Sequence, residues 1–333
     1  MPLKPCIALL MAAVLSGRAA VIEEQFATDP FARGWRIFGD PSLFQWNPPA
    51  QNISVTWDSS RTNSYCHLPL GTILSQADDF SFSFDLRLSD IRLGNSAGKT
   101  NEFQIAIGLI HLASAMRTNH YVGAGVSAAY GIRNVVELDY FPDAGFGETL
   151  SSVVASTNNR IYPTHNFPLR MTEGDTFHIT LAHTAADQIL RTAATKNGAP
   201  FGLPPNHQLG ELPLSGKNDF RVDAFAIISY SDAIQAGPPQ YHGSILAHGT
   251  IDNIRLVIPP PAASELRLAL TNSVWQTSFL SRGNWDYTLE RSRDCADWEA
   301  ASPTIRGNGA TLRLQDTEPP RENAFYRIRA ERP

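Results

Sequence analysis

The run Phe80-Ser81-Phe82-Ser83-Phe84-Asp85-Leu86-Arg87-Leu88 alternates strictly between apolar and small or charged side chains. Successive side chains of a strand point to opposite faces, so this segment can bury one face and wet the other. A helix would smear both sets around its surface. Shorter runs of strand character recur at residues 53–57, 103–110, 135–141, 177–181, 222–228 and 251–258, and turn-rich breaks such as Gly94-Asn95-Ser96-Ala97-Gly98 and Lys196-Asn197-Gly198 separate them. Few windows keep a helical period. Many strands without long helices predict an all-β sandwich or barrel. Residues 160–168 and 200–217 read as long loops, the places where binding is usually built.

The first nineteen residues are read as a signal peptide. Lys4 precedes the short apolar run of residues 7–15, and small residues lead to a cleavage position after Ala19. The run is too short to span a bilayer, which predicts a secreted protein: extracellular, periplasmic or on the cell surface. No later segment is apolar enough for membrane insertion. The formal net charge of −5 becomes more negative once Lys4 and Arg18 leave with the signal, which argues against nucleic acid or an anionic membrane as partner. Pro259-Pro260-Pro261-Ala262-Ala263-Ser264 reads as a stiff linker. It divides a main domain over residues 21–258 from a small β module over residues 265–331. Strands are predicted there at residues 266–270, 275–280, 287–291, 311–314 and 324–329, with Trp275, Trp285, Trp298, Phe325 and Tyr326 as core. Cys66 and Cys295 fall in different domains. An oxidising compartment permits a bond between them, and two separate part-buried thiols are the favoured reading.

The chemistry concentrates in Glu137-Leu138-Asp139-Tyr140-Phe141-Pro142-Asp143. On a strand, Glu137, Asp139 and Phe141 share one face, while Val136, Leu138 and Tyr140 share the other. Pro142 lacks the N–H to continue the ladder, so Asp143 starts a loop that can fold back on the strand acids. Carboxylates so placed repel unless a positive group compensates them, and a hard cation with oxygen ligands is one solution. The bland alternative is a solvated acidic strand face.

This stretch resembles the metal-binding signature of the legume lectins and concanavalin A. The resemblance implies a concanavalin-like jelly-roll β-sandwich and places metal ligands at Glu137, Asp139, the Phe141 carbonyl, Asp143 and, in ungapped register, Glu148. The histidine of that family's transition-metal site falls on Val153, which leaves calcium as the cofactor implied. Glu102 lies near the strand expected to carry the family's sugar-contacting Asp, out of register. Gly249-Thr250-Ile251-Asp252-Asn253-Ile254 resembles the last strand of laminin G-like and concanavalin-like domains. The segments Tyr287-Thr288-Leu289-Glu290-Arg291-Ser292 and Phe325-Tyr326-Arg327-Ile328 resemble a degenerate fibronectin type III-like module. The whole layout is similar to secreted proteins of environmental bacteria.

Jelly-roll glycoside hydrolases supply a rival reading, since retaining members carry Glu-x-Asp-x-(x)-Glu on one strand. Glu137-Leu138-Asp139 matches the first half, and no second glutamate follows. His178 and His183, five apart on one predicted strand, point to opposite faces, with His178 toward solvent. No nucleophile elbow or phosphate loop occurs. For stacking on a sugar ring, Tyr162 and Trp46 are the best candidates, on segments read as exposed loops; Tyr121, Tyr130, Tyr140 and Tyr241 are weaker ones. The sequence thus predicts a secreted, non-catalytic glycan-binding protein, calcium-dependent by resemblance. A jelly-roll hydrolase and a ligand-free surface module are the alternatives.

Overall fold

The structure, a computed structural model, describes residues 20–94, 104–117, 131–142, 147–231, 244–260, 262–271, 274–283, 285–320 and 324–332. The described chain divides into two compact units, one spanning Ala20–Ile258 and the other beginning at Pro259. The signal-peptide residues, Glu102, Tyr121, Tyr130, Asp143 and Tyr241 lie outside the described residues.

The first unit carries sixteen described strands: β1 (Ala20–Glu24), β2 (Arg36–Phe38), β3 (Phe44–Asn47), β4 (Asn52–Asp58), β5 (Ser64–Leu74), β6 (Phe80–Leu93), β7 (Ile105–Ile110), β8 (Val135–Phe141), β9 (Thr149–Ala155), β10 (Ile161–Pro163), β11 (Thr176–Thr184), β12 (Ile189–Lys196), β13 (Ala199–Phe201), β14 (Leu212–Pro213), β15 (Val222–Ser229) and β16 (Ile245–Ile258). A single helical turn, α1 (Leu112–Ala115), follows β7. The strands form two antiparallel sheets. One runs β13-β12-β11-β6-β16-β4-β3, with β1 added to β16 and β14 to β12; the other runs β10-β9-β8-β7-β15-β5-β2.

The alternation in β6 does what its period dictates. Phe80, Phe82, Phe84, Leu86 and Leu88 are buried, while Ser81, Ser83 and Asp85 between them are half-buried and Arg87 is exposed. The inward face of β6 meets the second sheet: the Phe82 and Phe225 rings pack edge to face with centroids 5.8 Å apart, and Trp35 meets Phe225 edge-on at 6.2 Å. His183, on the core-facing side of β11, is buried and donates Nδ1–H to the Asp78 carbonyl at 2.9 Å; His178, on the other side, pairs with Asp85 at 2.7 Å.

The second sheet differs from the first in one respect that positions the site. Strands β7 and β9 are buried at every residue, and β8 at every residue except Phe141. Both faces of this sheet are therefore covered at its centre.

The second unit holds β17 (Ala263–Thr271), β18 (Val274–Ser281), β19 (Asp286–Ser292), β20 (Glu299–Ala300), β21 (Ile305–Arg306), β22 (Thr311–Asp316) and β23 (Phe325–Glu331). They form a three-stranded sheet β17-β18-β22 and a four-stranded sheet in which β19 pairs with β20, β21 and β23. Its buried apolar residues are Phe279, Trp285, Tyr287, Leu289 and Leu314. Of the aromatic core expected from sequence, Trp285 is buried. Trp275, Trp298 and Tyr326 are half-buried and Phe325 is exposed, because β23 is an edge strand and the Trp298 ring lies under the Arg327 guanidinium, 4.1 Å away. Cys66 is buried in the first unit and Cys295 exposed in the second; both are free thiols.

Candidate functional site

Strand β8 brings Glu137 and Asp139 onto one face, and the pairing register says which face it is. Leu109 lies opposite Val136 on one side and Phe225 on the other, and Phe225 packs on Phe82 of the larger sheet. Val136, Leu138 and Tyr140 therefore point between the sheets. Glu137 and Asp139 point to the outer face of the smaller sheet.

Across the strands on that outer face, Glu137 is flanked by Val153 of β9 and Gly108 of β7, with Ala226 beyond; Asp139 is flanked by Ser151 and Ala106, with Ile228 beyond. Glu137 is 0% exposed and Asp139 3% exposed. The solvated-face reading is overturned: both acids are buried. One oxygen of Glu137, Oε2, accepts a hydrogen bond from the Tyr230 hydroxyl at 2.7 Å. Tyr230 lies just past β15, so its side chain reaches Glu137 across β7, whose outward residues there are Ala106 and Gly108. The small residues of β7 leave room for that reach.

The remaining oxygens are the telling feature. Glu137 Oε1 and Asp139 Oδ1 are buried and have no hydrogen-bond partner, and among the described residues no Lys, Arg or His pairs with either acid. Burial pushes both carboxyl pKa values well up, the Tyr230 bond opposing this at Glu137 and the Glu137 charge adding to it at Asp139. Burial, and then the nearby Glu137 charge, likewise holds the Tyr230 hydroxyl protonated.

The other residues singled out from sequence are not gathered here. Glu148 is set apart: it lies 3.9 Å from the Arg170 guanidinium and near the Tyr140 hydroxyl, whose side chain points to the inter-sheet face. Phe141 ends β8 on the outward face, half-buried. Val153, where the lectin signature would have histidine, is apolar and directly across from Glu137. Trp46 and Tyr162 belong to different sheets. Trp46 lies on edge strand β3, half-buried, donating Nε1–H to the Phe26 carbonyl at 2.9 Å. Tyr162 lies on edge strand β10 opposite Val154, so it faces inward rather than toward Glu137. Its hydroxyl accepts from Asn218 Nδ2 at 3.1 Å, and Lys217 Nζ stands 5.2 Å from its ring. Neither aromatic sits on an exposed loop.

The donor set fits a hard cation: buried oxygens without partners, no thiolate and no histidine among their outward neighbours on β7 and β9. Among the described residues no three His, Cys, Asp or Glu side chains gather. Hydrolysis finds no second glutamate on β8, and Glu137 has no surface open to a sugar chain.

Fold and site together define a two-sheet antiparallel β-sandwich with a buried carboxylate pair on the outer face of its smaller sheet. No protein-family model matches the chain, and no curated protein matches it in sequence. Solved legume lectins are similar to it in structure. Peanut lectin bound to a nine-residue peptide shares 14% identity over 71% of this chain and 99% of the lectin, with a TM-score of 0.41. Lectin II from Ulex europaeus shares 9% over 73% and 100%, with a TM-score of 0.44. Arcelin-5, a lectin-like defense protein from Phaseolus vulgaris, shares 11% over 72% and 98%, with a TM-score of 0.40. At these values the likeness says nothing about the site.

Proposed function

We propose that this is a secreted, non-catalytic glycan-binding protein whose Glu137–Asp139 pair holds a divalent cation, with calcium as the ion suited to oxygen donors. The observation that carries the reading is the pair of buried carboxylates with one unpartnered oxygen each. Unpaired buried charge is expensive, and a bound cation supplies the missing compensation. The glycan part of the reading is supported by the resemblance of Glu137-x-Asp139-x-Phe141-Pro142-Asp143 to the metal-binding signature of the legume lectins. Glu137 and Asp139 are the ligands named both by the resemblance and by the face their side chains share. A bound cation would neutralise the pair.

The test is thermal unfolding of the mature protein in calcium and in chelator, followed by glycan-array binding under the same two conditions. A ligand present at a hundred times its Kd stabilises the folded state by about 2.7 kcal/mol, enough to raise the melting temperature by several degrees. The expected outcome is a calcium-dependent rise that Asp139→Asn abolishes, together with glycan retention that chelator removes. An unchanged melting temperature at millimolar calcium would defeat the metal reading. Calcium binding with no retained glycan would defeat the lectin-like one.

A further inference from the structure

Gln104 is 2% exposed, and its side-chain oxygen has no hydrogen-bond partner. It immediately precedes β7, where Ile105 lies opposite Tyr140 and Ala106 opposite Asp139. Side chains alternate, so Gln104 emerges on the face of Ala106 and Asp139, one step toward Phe141. Diagonal neighbours of this kind on an antiparallel pair are about 7–8 Å apart at the backbone, within reach of long side chains meeting between them. Three buried oxygens without partners then share this face: Glu137 Oε1, Asp139 Oδ1 and Gln104 Oε1.

We infer that Gln104 supplies its amide oxygen as a third protein ligand to the divalent cation of the carboxylate pair. This rests on the cation reading proposed above. The charge balance explains the residue type. Two carboxylates already neutralise a divalent ion, so a third ligand need carry no charge of its own. A neutral amide adds a hard donor without adding charge, and amide carbonyls are ordinary calcium ligands. The outward β7 residues beside it, Ala106 and Gly108, carry no side-chain donor that would otherwise occupy this oxygen.

Calorimetric titration of calcium into the mature protein tests the assignment, with Gln104→Met, Gln104→Glu and Asp139→Asn compared and each variant's unfolding in chelator recorded to establish folding. The expected pattern is one calcium per wild-type chain, no binding in Asp139→Asn, at least tenfold weaker binding in Gln104→Met, and binding kept in Gln104→Glu because an oxygen returns. Should Gln104→Met not fold, Gln104→Asn, which withdraws the amide by one methylene, is held to the same tenfold threshold. Wild-type affinity in Gln104→Met, or equal weakening in the Met and Glu variants, overturns the role of Gln104 and leaves the cation reading standing. No binding to the wild type overturns both.

Discussion

Glu137 and Asp139 are governed by where they sit more than by their mutual charge. Burial is the largest influence on each, and it raises both carboxyl pKa values above the roughly 4 of an unfolded chain. A group raised in this way stabilises the fold fully below its unfolded pKa, and that contribution is lost as pH rises through the folded pKa. In chelator, the unfolding free energy should therefore decline from about pH 5 upward as both carboxyls approach ionisation. Glu137→Gln and Asp139→Asn should each flatten the decline, which denaturant titrations at a series of pH values would measure. A slope identical in both variants and the wild type would show that the carboxyls are not responsible. The buried histidines His67 and His183 move the other way, their pKa values lowered by burial, so their contribution is lost on acidification below about 6.5. The alkaline and acid limbs thus belong to different residues and can be separated by mutation.

At the scale of elements, the site depends on how closely β7 and β8 approach. A Cβ added at Gly108 would collide with the Glu137 Cα and the Val136 carbonyl oxygen, both backbone atoms that cannot swing aside. Gly108→Ala should therefore cost about 1–3 kcal/mol, the range for an overpacked core. It should also abolish calcium-dependent stabilisation, because Glu137 must shift; a melting temperature within a degree of wild type would contradict this. Strand legibility followed local chemistry. The strict alternation of β6 and the sharing of a face by Glu137 and Asp139 were readable from spacing alone. Strand β5 was not, because Pro69 and Gly71 look like a break. The structure absorbs them where the β5–β15 register shifts between Val222 and Ala224, which is what a bulge permits. Strand β9 was missed for another reason: Thr149-Leu150-Ser151-Ser152-Val153-Val154-Ala155 is buried throughout, so no wet face marks a period.

The main unit, Ala20–Ile258, has a continuous buried core running from Phe26 to Ile258. A fragment covering residues 20–260 should fold cooperatively and keep the calcium response, since every group assigned to the site lies within it. Loss of cooperative unfolding in that fragment would show that the second unit is required. The second unit has a short buried apolar set, with Leu268 and Leu270 more than half exposed. Taken alone it should be the less stable of the two, as small cores are.

By itself the sequence determined the all-β class, the alternation that makes β6 half-wet, and the common face of Glu137, Asp139 and Phe141. These are consequences of backbone periodicity, which acts over a few residues. Only the tertiary structure decided that this face is buried, that Glu148 turns to Arg170, and that Trp46 and Tyr162 belong to different sheets. It alone brought Tyr230, ninety-three residues away, to Glu137, and paired β7, which Gln104 immediately precedes, with the strand of Asp139. Burial, and with it the protonation of a carboxyl, depends on neighbours delivered by strand pairing across the whole chain. No local pattern encodes which of them arrive.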